Sequence, residues 1–469
     1  MTSDLTLLTA AEQVVAFRKR SLSTVEMAQA MLDRVDRIQP AFNAFCVIDA
    51  EGALVSAEAS ERRYAEGSPL SPIDGVSTTL KDLVLTKGWP TRRGSITIPE
   101  AGPWTEDGPA TARLREAGAV LVGKTTTPEF AFKPVTSSPL TGITRNPWNR
   151  DLTPGGSSGG AGVAAATSAG TLHLGTDAGG SIRIPSSFSG VFGFKPSGGR
   201  VPTYPPTPLA SMVSFGPMTR TVEDAARMLT ILSRPDIRDV TALAHDCTTY
   251  HEELDSDPRA WRIAFSPDFG CATVAPEVAV LVAQAAQAFA ELGASVHQVD
   301  HIMDDPEPLM TRLRRGFAAY AFRHFDEAKL AIMDPAIAEE IRSSFGADLN
   351  DHFDAEMART ALMRQMAEFH QTYDLLISPT LTVPPFSAEI DRPQGETRYS
   401  WTKLCIPFNL TRQPAASVPC GFTDAGLPVG LQIVGPYGAD LAVLQAARAF
   451  ETIRPWADSH PDLPGGDQT

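Results

Sequence analysis

An α/β fold is predicted for this chain from one local grammar that occurs twice and from a glycine-rich segment that carries its own apolar residues. Pro109–Ala117 has a helical pattern, Gly118 ends it, and Ala119–Val122 is a short apolar strand. Pro276–Leu292, Gly293 and Ala294–Val299 repeat that order. A helix stopped by glycine and followed at once by an apolar strand is the unit from which α/β sheets are built. The third observation is the segment from 153 to 200, crowded with Gly and Ser. Its small residues alternate with Val163, Leu172, Leu174, Ile182, Ile184, Val191 and Phe192, so it reads as a tightly packed core and not as a linker.

The remaining elements follow in chain order. Two helices are expected in the first 40 residues. Thr9 is placed to cap the first, which carries Val14, Val15 and Phe17. Ser23 with Glu26 forms a capping-box pattern ahead of Met27, Ala30, Met31 and Val35. Val76–Leu80 reads as an extended strand that ends in Lys81. The stretches 230–260 and 300–360 are more charged and less patterned, and are expected to be surface helices and loops.

Composition narrows the function. At 469 residues, length alone suggests two or three domains, although large α/β enzymes often form one unit. The net charge of -15 repels phosphate backbones, so neither nucleic acid nor a membrane surface is an expected partner. The five cysteines (Cys46, Cys247, Cys271, Cys405 and Cys420) are scattered and lack CxxC spacing. They are expected to be buried apolar residues in a reducing compartment, not a disulfide framework or zinc site. Met1–Arg20 contains Asp4 and Glu12 and lacks the apolar region of a secretory signal. No run approaches the roughly 20 apolar residues that span a bilayer. A soluble cytoplasmic protein is the resulting expectation.

Three patterns compete within the glycine-rich region. Gly155-Gly-Ser157-Ser-Gly159 matches a nucleophile elbow, but Asp151-Leu-Thr-Pro154 is a poor preceding strand. None of His297, His301, His324 and His370 sits in a recognisable catalytic setting. Gly160-Ala-Gly162-Val-Ala-Ala165 matches a dinucleotide fingerprint and would make the chain a nucleotide-binding oxidoreductase, again without its strand. The third pattern is longer: Gly155–Gly160, then Ser181 within Gly175-Thr-Asp-Ala-Gly-Gly-Ser-Ile-Arg-Ile-Pro185, with Lys81 upstream.

On these residues the chain resembles the amidase signature family, from about residue 5 to 455. Leu80-Lys-Asp82, Gly123–Phe130, Arg145-Asn-Pro-Trp148 and the block Thr153–Pro196 carry the resemblance. Gly216–Arg220, Gln413–Gly421 and Gly426–Gln432 extend it. The resemblance implies one α/β domain over 1–469, with a large twisted, mostly parallel mixed sheet flanked by helices on both faces. Its catalytic core would span about 70–230 and 401–455, with peripheral helices and specificity loops in about 1–69 and 231–400.

The implied activity is hydrolysis of carboxylic amides, with anilides, esters and carbamates as related substrates, and no metal or organic cofactor. Ser181 would be the nucleophile, Ser157 a proton relay after a cis peptide, and Lys81 the base. A serine hydroxyl needs an adjacent base, and a lysine serves only when neutral, a state that burial favours. A hydroxyl between them can both give and accept a proton. Backbone amides of Ala178, Gly179, Gly180 and Ser181 would form the oxyanion hole, with a backbone group of Ala131 near the substrate. Asp177 and Arg183 would shape that loop, and Ser158 and Thr176 would orient Lys81 and the serines.

Tyr204–Pro208, the 300–325 region with Arg312, Arg314, Arg315 and Phe317, and Thr380–Phe386 are candidate specificity stretches. The arginines among them are read first as exposed helix charges, with selection of an acidic substrate as the alternative. At Arg412 many relatives have glycine. The A subunits of glutamyl-tRNA amidotransferases share the signature and require partner subunits. They typically read Met-Asp-Glu-Phe-Ala-Met-Gly where this chain has Thr126-Thr-Pro-Glu-Phe-Ala-Phe-Lys133, which looks like a free-standing amidase. A small amide is the expected binding partner, and a homodimer is a candidate assembly.

Overall fold

The computed structural model describes residues 4–464 except 208, 210 and 246. Helices α1 (Ala10–Lys19) and α2 (Thr24–Phe42) lead into β1 (Phe45–Ile48), α3 (Ala50–Ala65) and β2 (Ser77–Lys81). Next come α4 (Pro109–Glu116), β3 (Val120–Thr125) and a small hairpin of β4 (Ser137–Ser138) and β5 (Gly142–Ile143). The glycine-rich segment forms α5 (Gly159–Ala166), β6 (Leu172–Asp177), α6 (Arg183–Ser189) and β7 (Phe192–Lys195). Then follow β8 (Ser214–Thr219), α7 (Val222–Leu232), β9 (Arg262–Phe265), α8 (Pro276–Glu291) and β10 (Ser295–Gln298). Helices α9 (Glu307–Ala321), α10 (Glu327–Leu330), α11 (Pro335–Ser344) and α12 (Leu349–Phe369) precede β11 (Leu375–Pro379). The described chain closes with α13 (Pro407–Leu410), β12 (Ala415–Phe422), β13 (Pro428–Val434) and α14 (Asp440–Ile453).

Local signals act as expected at the helix ends. Thr9 caps α1, and Glu12 reaches back to complete a capping box. Ser23 caps α2 through the amides of Val25 and Glu26 and donates its hydroxyl to Glu61, but the Glu26 carboxylate does not return to the Ser23 amide, so the reciprocal half of that box is absent. Gly118 and Gly293 adopt φ of +81° and +95° where α4 and α8 stop, a conformation that costs other residues more.

Eleven strands form one mixed sheet in the order β1-β3-β2-β6-β8-β7-β12-β13-β11-β9-β10. The expected predominance of parallel pairing is not observed. Four pairings are parallel, at β3-β2-β6 and β11-β9-β10. The other six are antiparallel and include the whole centre from β6 to β11. Hydrophobic content cannot separate the two cases here, because a strand covered by helices on both faces is apolar in either direction.

Alternation along the strands divides the core. Leu80, Leu121, Leu174, Ile263 and Ile377 face α1, α4, α7, α8 and α14. Their neighbours turn the other way: Val122 packs with α2 and α5, and Ala264 and Leu376 pack with residues of α12 and α13. Lys81, next to Leu80, therefore points to the side where α5 begins.

Two expectations need correction here. Residues 230–260 are largely irregular as foreseen, yet Tyr250 and Leu254 are buried in the main core. Cys405 is buried and Cys46, Cys271 and Cys420 are partly so, but Cys247 is exposed. Among the described residues no helix is long and apolar enough to cross a membrane.

The glycines of α5 are there for contact. A Cβ on Gly160 would lie 2.4 Å from the Ala44 carbonyl oxygen and 2.5 Å from the Thr126 nitrogen. Backbone cannot be cleared by a rotamer change. Gly160→Ala is therefore expected to cost about 1–3 kcal/mol, as overpacked cores do. A chemical denaturation midpoint equal to the parent's would contradict this packing.

Candidate active site

Lys81 ends β2 and Thr176 lies near the end of its parallel neighbour β6, so both occupy the carboxyl end of a strand pair. Open α/β sheets commonly place their sites outside that end. Lys81 is fully buried. Its Nζ lies 2.7 Å from Ser157 Oγ, 2.9 Å from Ser158 Oγ and 2.9 Å from Thr176 Oγ1. Among the described residues these hydroxyls are its hydrogen-bond partners. Burial pushes the ammonium well below the usual lysine range, while the charge of Asp177 opposes that shift without reversing it.

The Ser158 proton position follows from a neighbouring bond. Ser158 Oγ donates to the Thr176 carbonyl at 3.2 Å, so it can only accept from Lys81. A neutral amine has two N–H donors and one lone pair. A neutral Lys81 donating to Ser158 and Thr176 would keep its lone pair for the Ser157 hydroxyl, the shortest of the three contacts. The Gly156–Ser157 peptide is cis, as the resemblance implied.

Ser181 reaches this cluster through the backbone. Pro185 has no N–H, so the Ser181 carbonyl lacks the usual helical donor four residues on. It accepts instead from Ser158 N–H at 3.2 Å, which joins the two serine segments. The loop before α6 is closed by Asp177, whose carboxylate accepts from the amides of Gly180 at 2.7 Å and Ile182 at 3.1 Å. Gly180 sits at φ +114°, where a Cβ would also lie 2.8 Å from Cys405. Its amide is thus engaged by Asp177, which separates it from Ala178, Gly179 and Ser181. Those three line an open cleft of about 530 Å³ together with Ala131.

Asp177 and Arg183 are a fully buried ion pair at 2.9 Å, not a surface one. The guanidinium also donates to Asn409 Oδ1 at 2.6 Å, Gln432 Oε1 at 2.7 Å and the Cys405 carbonyl at 2.8 Å. Burial would raise the Asp177 carboxyl, but Arg183 holds it far below the usual carboxylate range.

The candidate specificity stretches divide. Arg312 pairs with Asp351 at a half-exposed position, and Arg315 is exposed. Arg314, expected first as an exposed charge, instead lines the cleft with its guanidinium 3.7 Å from the Phe132 ring centre. Phe317 packs on Phe132, with ring centres 5.9 Å apart. Tyr204 stacks under Arg238 and does not line the cleft, and Pro208 lies outside the described residues. Thr380 bonds Ser417, and Leu381 packs behind Ile184.

Arg412 lies away from the cleft lining. It adopts φ +64°, a conformation natural to the glycine of relatives, and donates to the Gly198 carbonyl at 2.9 Å. Arg398, Tyr399 and Thr402 also line the cleft, and no local pattern marks them.

The rival motifs lose their context. Gly160 and Gly162 lie inside α5, and residues 153–158 ahead of it are not a strand. His297 contacts Ser295, and His370 contacts Gln413 and the Tyr373 carbonyl, so neither joins the serines.

Comparison with known proteins finds relatives along nearly the whole chain. A family model described as Amidase matches residues 26–444. An acylamidase of Rhodococcus erythropolis is 36% identical over 470 residues, covering 97% of each chain. The glutamyl-tRNA(Gln) amidotransferase A subunit of Roseiflexus sp. (strain RS-1) is 33% identical over 484 residues, covering 97% of this chain and 98% of its own. Among solved structures, a bacterial aryl acylamidase superposes with a TM-score of 0.89 at 30% identity, over 96% of this chain and 97% of that one. Fold and relatives define an enzyme that hydrolyses amide bonds. The chain belongs to the amidase signature family.

Removing one partner of the buried pair isolates the other. Asp177→Asn is expected to destabilise the protein by about 3–5 kcal/mol, the usual cost of an uncompensated buried charge. Urea denaturation checks this, and an unchanged midpoint would mean the pair does not hold the loop.

Proposed function

We propose that Ser181 attacks the substrate carbonyl while Ser157 passes its proton to neutral Lys81. The observation that carries this reading is a fully buried lysine whose partners are three hydroxyls. Collapse of the tetrahedral intermediate returns that proton through Ser157 to the departing amine and leaves an acyl-Ser181 ester. Water then attacks the ester by the same relay and releases the acid. Backbone N–H groups of Ala178, Gly179 and Ser181 are the oxyanion donors in this reading. Gly180, engaged with Asp177, holds the loop instead. Anilides, esters and carbamates present a comparable carbonyl to the same cleft.

The amidotransferase relatives support a second reading, in which the chain hydrolyses glutamine within a larger assembly. The segment Thr126–Lys133 departs from their pattern, and the acylamidase and aryl acylamidase relatives support free-standing activity.

Release of amine or ammonia by the purified chain separates the two. The panel holds aliphatic amides, anilides, aryl carbamates and glutamine, with Ser181→Ala alongside. Turnover is expected to fall at least about 1,000-fold in that variant, with unchanged circular dichroism. Equal release by both proteins would refute the site, and selective glutaminase activity would favour the amidotransferase reading.

The pH profile gives an independent check. Lys81 works neutral, so kcat/KM rises with pH through its pKa and is level above it. Burial places that limb well below the ordinary lysine value. An acid limb near pH ~10.4, the value of a solvated lysine, would remove Lys81 from the role of base.

A further inference from the structure

Two guanidinium groups share one carboxylate on the wall of the cleft that holds Ser181. Arg314 on α9 donates to Glu340 of α11 and to the Phe132 carbonyl, at 2.5 Å each. Arg398 donates to the same carboxylate and the same carbonyl. The third cation of the lining is already matched, since Lys133 contacts Asp334 at 2.6 Å and Asp391 at 2.9 Å. Glu340 is thus shared by two cations whereas Lys133 has two carboxylates, so the three cations and three carboxylates of this wall balance as a whole but not around Arg398. Two donors there lack a partner among the described residues: Arg398 Nε and the Tyr399 hydroxyl. Both belong to side chains that line the cleft, alongside the apolar Leu209 and Met310.

A mostly buried guanidinium that shares its one carboxylate with a second arginine is costly, and burial together with Arg314 lowers Arg398 to about 9. The unpartnered Nε–H of Arg398 can donate a charge-assisted hydrogen bond to a carboxylate, and the buried Tyr399 hydroxyl offers a second donor to the same anion. We propose that the preferred substrates are amides with an apolar body and a carboxylate, which Arg398 and Tyr399 bind. This rests on Ser181 being the nucleophile of the same cleft.

The test compares matched pairs that differ in that charge alone. Glutaryl-p-nitroanilide is set against its methyl ester, and N-acetyl-4-aminobenzoate against its methyl ester, so the carboxylate is offered on either half of the amide. In the parent, kcat/KM is expected to favour the acid of at least one pair by about 10- to 100-fold, the range of a charged hydrogen bond. That ratio should fall towards one in Arg398→Met and be partly restored in Arg398→Lys. Tyr399→Phe should lower it several-fold, and it serves if Arg398→Met does not fold.

Calorimetric binding of the same pairs to the Ser181→Ala protein reads the preference without turnover. The two proposals can therefore fail separately. No turnover of any compound, with the acids still bound more tightly, would refute the hydrolytic reading and keep the anion site. Acid and ester treated alike by the parent, or a ratio unmoved in both variants, would overturn the anion site whatever the turnover.

Discussion

The ion pair between Asp177 and Arg183 is the constraint on which the site depends. It sits at the end of β6, and the guanidinium bonds to α13 through Asn409 and to β13 through Gln432. Two pieces of chain distant in sequence are thereby held to that loop. Buried pairs of this kind contribute little net stability against an apolar replacement, because desolvation offsets their attraction. Their effect here is on geometry and charge. Asp177 is the nearby anion that would favour a protonated Lys81, and Arg183 partly offsets its field. With its own contacts made only to hydroxyls, the lysine is left to desolvation.

The floor below that pair is built by absence of side chains. A Cβ on Gly156 would lie 2.7 Å from the Val135 backbone, and one on Gly159 would lie 2.3 Å from Thr136 Oγ1. With nothing at these positions, the segment ahead of α5 settles against 135–136. Ser157 and Ser158 then come within hydrogen-bond distance of a lysine on the sheet. Pro185 completes the arrangement by withholding an amide, which leaves the Ser181 carbonyl to Ser158. Glycine and proline act here through what they lack, which explains why a segment resembling a linker in composition is among the most buried in the chain.

These features are legible in the sequence to different degrees. Helix starts at Thr9 and Ser23, helix ends at Gly118 and Gly293, and the strand closing on Lys81 follow from local steric and hydrogen-bond rules. Those rules act within a few residues, so reading them needs no fold. Strand direction is not legible, because helix-covered strands look alike either way. The bond from Gly180 to Asp177 is also hidden, since nominating four consecutive amides ignores which of them the loop consumes itself. Arg314 reads as a helix charge because polarity along α9 says nothing of what packs against it. Arg398 escapes a sequence reading for a related cause: its meaning comes from Arg314, Glu340 and Phe132, which are far away in sequence.

That contrast separates two parts of the cleft by how they are encoded. The candidate reacting groups lie on β2, β6 and the turns into α5 and α6, where spacing, glycine placement and hydroxyl positions form one continuous pattern. The wall is assembled from residues 131–134, from Met310 and Arg314 of α9 and from Arg398, Tyr399 and Thr402 ahead of α13, with Glu340 of α11 joining the two arginines. No short motif spans those pieces, so the wall can change by single substitutions without disturbing the bonds around Lys81. Arg412 illustrates the same freedom: it occupies a left-handed position beside Gly198 and alters no group in the cleft lining. Family membership accordingly bears on the chemistry proposed for Lys81, Ser157 and Ser181, whereas substrate choice has to be argued from the particular charges that the fold brings to the wall.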